Sequence, residues 1–207
     1  MQIADAVFLI AIITFSAIIH EVMHGVAAEW LGDSTARYAG RLTLNPIPHI
    51  DPIGSVLLPL FFVLSHSPIF FGFAKPVPYN PYNLRPGKFS EAIVAGAGPA
   101  SNLVIAILAG AIIRSGYLPA ATDVVSTILL VNVMLFIFNL IPIPPLDGSK
   151  VLEALLPRSL AFSYGGWRRR MELNPFLGMV IVLLIILFLG GAFSAFIYSI
   201  ASAIAGS

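Results

Sequence analysis

Ser16-Ala17-Ile18-Ile19-His20-Glu21-Val22-Met23-His24-Gly25-Val26-Ala27-Ala28 is an apolar stretch broken by three ionisable side chains within five positions. On a helix, positions four apart lie about 40° apart around the axis. His20 and His24 therefore share a face and are spaced to hold one zinc ion, with Glu21 beside them as a general base. An apolar run of roughly 20 residues crosses a bilayer. An ionisable side chain at the centre of such a span costs on the order of 3 kcal/mol, so three together imply a site enclosed by protein. The competing reading takes two histidines and a glutamate as satisfied packing residues and needs no metal.

Composition bounds the rest. The chain is 58% hydrophobic and 10% charged, with a mean hydropathy of +0.93. That is under half the usual charge content and describes an integral membrane protein. The lack of cysteine excludes disulfides, thiolate metal sites and a cysteine nucleophile. Met1 to Asp5 carries no basic residue and the apolar run after it holds the His-Glu pair, so a cleaved signal peptide is not expected. No basic, aromatic-studded patch points to nucleic acid, and no glycine-rich phosphate loop follows a strand.

Along the chain, the first span is expected from about Ala6 to Ala28. Residues 36–44 (ARYAGRLTL) read as a strand or short β hairpin near the surface, and 45–52 is too proline-rich for a helix. Residues 53–73 are apolar but broken by Pro59 and Ser65-His66-Ser67-Pro68. A loop with four prolines and three basic residues covers 74–89. Charge-free spans follow at 92–113 and 124–146, the second breaking at Pro142, Pro144 and Pro145 before Asp147-Gly148. A basic connector runs from Lys150 to Glu172, and a last charge-free stretch from Leu173 to Ser207. Residues 1–207 read as a single membrane-embedded domain.

Two histidines leave catalytic zinc short of a protein ligand, since such sites take three plus water. A metzincin continuation needs Gly and His where Ala27 and Trp30 stand, which excludes that class. Glu29 lies on another face of the helix. Asp51, Asp123, Asp147, His49 and His66 remain as candidates. Asp147 stands out because it follows a span ended by prolines, where broken backbone at membrane depth must line a protein cavity. An N-cap role ahead of Gly148-Ser149-Lys150 would also fit it.

His20-Glu21-Val22-Met23-His24, Gly98-Pro99-Ala100-Ser101-Asn102 and the run from Asn139 through Pro142 to Asp147-Gly148 resemble the three signature motifs of the site-2 protease family, the intramembrane zinc metalloproteases. Residues 41–54 and 72–86 are similar to its compact form, which lacks a PDZ or CBS domain. The resemblance implies one catalytic zinc on His20, His24 and Asp147, Glu21 as general base, and Asn102 and Asn139 near the scissile peptide as substrate or oxyanion contacts. It implies a substrate peptide held extended, which the expected strand at 36–44 could pair with.

The histidine pair and Asp147 both lie toward the C-terminal ends of their spans, so these two helices must run the same way through the membrane. That makes the proline-broken 53–73 segment a re-entrant or interfacial hairpin and leaves about four full transmembrane helices. Arg37, Arg41, Lys75, Arg85, Lys88, Lys150, Arg158 and Arg168 to Arg170 then fall on one side, with Arg114 alone on the other. The positive-inside rule makes the basic side cytoplasmic, with the N-terminus outside a plasma or inner membrane and the active site nearer the cytoplasm. The expected function is cleavage of membrane proteins within or next to transmembrane segments, in regulated proteolysis or clearance of remnant signal peptides. Its partners are transmembrane substrates and the lipid bilayer, with homo-oligomerisation left open. The alternative is a non-proteolytic zinc-binding scaffold or a metal transporter; a transporter would carry further His, Asp or Glu along a path, and a scaffold need not retain Glu21.

Overall fold

The computed structural model describes residues 3–57, 61 and 74–206. Helix α1 (Ile3–Trp30) is followed by a short α2 (Thr35–Tyr38), then α3 (Ser90–Ser115) and α4 (Thr122–Asn139). Next come α5 (Gly148–Leu155), α6 (Arg158–Glu172) and α7 (Pro175–Ala205). Among the described residues, three helical stretches are long and apolar enough to cross a membrane: Val7–Trp30, Ser90–Ser115 and Pro119–Asn139. With no water to satisfy backbone groups inside a bilayer, long helices are the solution such a composition permits.

The long helices pack through small residues. Ala106 and Ala109 of α3 meet Val125, Leu129 and Val133 of α4 and Ile197 and Ala201 of α7 in one buried cluster. A Cβ at Gly110 would lie 2.5 Å from the Ile204 side chain, so glycine is what lets α3 and α7 close together. Such close approach is the main source of attraction between helices in lipid, where the hydrophobic effect does not act between them.

Polar contacts gather at the two ends. Arg114, at the end of α3, donates to the Ile204 and Ala203 carbonyls of α7. At the other end, Arg168 of α6 pairs with Glu153, Glu172 and Glu91, which ties α6 to α5 and to the start of α3. Arg168 is buried, whereas Arg169 and Arg170 beside it are exposed.

The strand expected over 36–44 does not form. Residues 35–38 make a helical turn and 39–44 turns and bends, and no strand occurs among the described residues. Asp33 decides this: its carboxylate accepts from the Thr35 backbone N–H and hydroxyl, starting the turn as a side-chain cap does. Ala36 is then fully buried beside Gly25 of α1, and Gly40 closes the turn with a φ of +66°. Of the expected hairpin at 53–73, Pro52–Leu57 forms a π-helical turn and most of the rest lies outside the described residues.

Residues 74–80, without regular secondary structure, cross the end of α1 as a strap that ends in a 3-10 turn at Pro81–Asn83. The Lys75 N–H donates to the His49 carbonyl and the Arg41 guanidinium donates to the Lys75 and Pro76 carbonyls. Asp33, wholly buried, accepts the Asn80 N–H at 2.6 Å and the Asn83 side-chain N–H at 2.9 Å. Burial pushes the Asp33 carboxyl toward its neutral form, but the hydrogen bonds from Thr35, Asn83 and Asn80 prevail and hold it below the ordinary carboxylate range.

A carboxylate whose folded pKa is depressed contributes stability above its unfolded value near 4, lost as pH falls through the folded value. Asp33→Asn should therefore unfold about 3 kcal/mol more easily than the wild type at neutral pH. The gap should close as the pH is taken well below about 4, which thermal unfolding in detergent micelles followed by circular dichroism will check.

Candidate metal centre

Helix α1 stacks His20 and His24 one turn apart, their rings edge to face with centroids 4.7 Å apart. Each imidazole is oriented by α3. His24 Nδ1–H donates to the Val94 carbonyl at 2.8 Å. A carbonyl only accepts, so Nδ1 carries a proton, and in the neutral imidazole the lone pair is then on Nε2. His20 Nδ1–H donates to Asn102 Oδ1 at 2.6 Å, and Asn102 is fully buried, its amide nitrogen donating in turn to Asn132 Oδ1.

Asp147 completes the cluster from 127 residues beyond His20. After α4 ends, the chain turns back over Ile141–Leu146, and at Gly148 a Cβ would sit 2.2 Å from the Leu140 carbonyl oxygen. The Asp-Gly pair thus marks where backbone folds against backbone, which no side chain would permit. Asp147 does occupy the N-cap position of α5, yet its side chain makes no capping bond. Instead Oδ2 lies 3.1 Å from His20 Nε2 and 3.3 Å from His24 Nε2.

One donor atom from each of His20, His24 and Asp147 lies within 4.8 Å of the others, so the three could hold a metal ion. Two features fit this donor set to zinc. With both Nδ1 protons committed to α3, both Nε2 lone pairs face a carboxylate oxygen, an arrangement of acceptors that calls for a cation among them. Gly98 of α3 faces the same point: a Cβ there would lie 2.5 Å from His24 Nε2 and 2.6 Å from His20 Nε2. The space is kept clear by the absence of a side chain.

Glu21 flanks the cluster from the same helix, and its Oε2 accepts the Val77 N–H of the strap at 2.8 Å. Asn139 is half-buried, and its amide nitrogen returns to the Leu135 carbonyl of its own helix. Among the other ligand candidates, Asp51 caps the turn at Ile53 and Gly54, and His49 is buried with Nε2–H donating to the Thr43 carbonyl. Asp123 is exposed in the first turn of α4, and His66 lies outside the described residues. Glu29 pairs with Arg37.

A sequence profile of peptidase family M50 matches residues 118–164, the segment carrying Asn132, Asn139 and Asp147. Over 160 residues the chain is 34% identical to "Putative zinc metalloprotease YwhC" of Bacillus subtilis, covering 72% of this chain and 69% of that protein.

The chain belongs to peptidase family M50. It is also 33% identical over 141 residues to Rip2 of Mycolicibacterium smegmatis and 30% identical to Rip2 of Mycobacterium tuberculosis, each bearing the same zinc metalloprotease designation. Those matches take in 67% of this M50 chain and about half, 53%, of each Rip2 protein. No solved structure matches it.

Three members of the site carry no metal-binding letter and have no role assigned from the sequence: Val94, which acts through its backbone, Gly98, which enters only as part of a motif, and Asn132. Only Asn132 left a signal, an amide in an otherwise charge-free span, where it must find a partner.

Gly98→Ala should leave the fold assembled and weaken zinc binding. Overpacking of about 1–3 kcal/mol at the mouth of the donor set corresponds to roughly 10- to 100-fold in affinity, to be read by chelator competition.

Proposed function

We propose that this M50 protein, a membrane zinc metallopeptidase, hydrolyses peptide bonds within or next to transmembrane segments, with one zinc held by His20, His24 and Asp147 and with Glu21 as general base. The observation that carries the reading is the convergence of two imidazole Nε2 atoms and one carboxylate oxygen beside Glu21, inside a bundle whose helices are built for lipid. Zinc, when bound there, supplies a Lewis acid that activates water and polarises the scissile carbonyl.

The chain's own residues do the rest. Glu21 takes the proton of the attacking water and delivers it to the leaving amine, so that one carboxylate serves both half-reactions. Its Oε2 is anchored by the Val77 N–H, which limits its swing and keeps it next to the histidines. Val94 and Asn102 hold the two imidazoles with Nε2 forward. Asn102 is spent on this task and fully buried, so orientation of His20 is its contribution, and Asn139 is the candidate for contact with substrate or the developing oxyanion.

A transmembrane helix hides its amides in its own hydrogen bonds, so the substrate is unwound before attack. Prolines at 76 and 78 strip alternate N–H groups from the strap, and the N–H groups of Lys75, Val77 and Asn80 are all turned inward. The strap is thereby a poor strand for substrate to add to.

The charge distribution supports an orientation. Arg41, Lys88, Lys150 and Arg168 sit among the strap, α5 and α6 at the end where α1 and α4 finish, and Arg114 sits at the opposite end. By the positive-inside rule the first end is cytoplasmic, the N-terminus is outside, and α7 makes the fourth crossing of a plasma or inner membrane.

The test uses purified protein in liposomes with a peptide spanning the membrane. Glu21→Gln should bind zinc as the wild type does and cleave about 100- to 10,000-fold more slowly. Cleavage at the wild-type rate by Glu21→Gln would overturn the assignment.

A further inference from the structure

We infer that Asn132 of α4 is a positioning residue for the metal centre, setting through Asn102 which nitrogen of His20 carries the proton. An amide side chain can sit either way round, and Asn102 faces His20 with one end and Asn132 with the other. Were it reversed, its NH2 would donate to His20 Nδ1, forcing the proton onto Nε2 and removing the lone pair a metal needs. Something must fix its sense.

The chain of bonds runs back to a group that cannot reverse. Asn132 Nδ2 donates to the Ile128 carbonyl at 2.9 Å and to Ser16 Oγ at 3.0 Å. Because a backbone carbonyl only accepts, the nitrogen of Asn132 must lie on that side and its Oδ1 must face Asn102. Asn102 Nδ2 then donates to Asn132 Oδ1 at 2.9 Å, and more weakly to the Ser16 carbonyl at 3.4 Å. That leaves Asn102 Oδ1 toward His20, so Nδ1 carries the proton and Nε2 is bare. Asn102 and Asn132 are both 0% exposed, so no water substitutes for a missing partner. Ser16 plays a different part. Its hydroxyl can rotate to donate or accept, so it satisfies Asn132 without dictating its sense.

The inference rests on His20 as a metal ligand, and its test separates the two. With only four histidines in the chain, 15N-histidine labelling of metal-free protein under alkaline conditions reads each tautomer directly. His20 in the wild type should be the Nδ1–H form. Asn132→Leu removes the shorter of the two bonds that hold Asn102 in this sense and leaves only the 3.4 Å bond to the Ser16 carbonyl, so His20 should move toward the Nε2–H form and zinc affinity by chelator competition should fall about 10-fold or more. Ser16→Ala should lower thermal stability and leave the tautomer unchanged. Adding Asn102→Asp to Asn132→Leu should restore the Nδ1–H form, because a carboxylate accepts from either oxygen.

An Nε2–H signal for His20 in the wild type would overturn the inference, whether or not Asn132→Leu folds. So would an Asn132→Leu protein that keeps both tautomer and zinc affinity, or a Ser16→Ala protein whose tautomer shifts as far as that of Asn132→Leu. A tautomer that shifts with zinc affinity unchanged would uphold the relay and remove His20 from the ligand set instead.

Discussion

Two neutral imidazole nitrogens that each lie about 3 Å from one carboxylate oxygen repel it unless a cation lies among them, and the repulsion grows where water is scarce. The fold is arranged around that demand. Zinc held there would sum with ionised Asp147 and Glu21 to no net charge, which is the state that a low-dielectric interior tolerates. The groups orienting the imidazoles are a backbone carbonyl and an amide rather than a further carboxylate, so they fix geometry without upsetting that balance. Ser16, Asn102 and Asn132 extend the same logic: they are buried, polar, uncharged and mutually satisfied.

Space for the ion is made by what is missing. Gly98 leaves a gap where any Cβ would strike both histidines, and Gly148 lets the broken end of α4 fold onto itself so that Asp147 points back at them. The polar bracing stands apart from this dry centre. Asp33 and Arg168 each satisfy several partners at the end where the strap, α5 and α6 meet, and they hold those segments against α1 and α3. Through Val77, the strap joins this bracing to Glu21.

Much of this was legible in the sequence, for reasons that differ between residues. His20, Glu21 and His24 follow from helical spacing alone, and the long helices follow from charge-free length. Asp147 was singled out by the proline-broken span before it, and the N-cap alternative was decided only by where its side chain points. The strand expected at 36–44 does not form because Asp33 accepts locally from the Thr35 N–H and hydroxyl and turns the chain there, a three-dimensional fact about one side chain. The resemblance implies a substrate or oxyanion contact for Asn102, and in the structure its side chain is hydrogen-bonded to His20. Val94 was invisible because it acts through its carbonyl, and Asn132 because its role depends on which helix lies beside it.

The ligand set is tested most directly by zinc K-edge X-ray absorption on the loaded protein in micelles. Two imidazole nitrogens and one carboxylate oxygen are predicted, with the remaining position filled by a light oxygen ligand, and Asp147→Ala should lose or rearrange the metal. A shell of three imidazoles, drawing in His49 or His66, or a spectrum unchanged by Asp147→Ala, would contradict it.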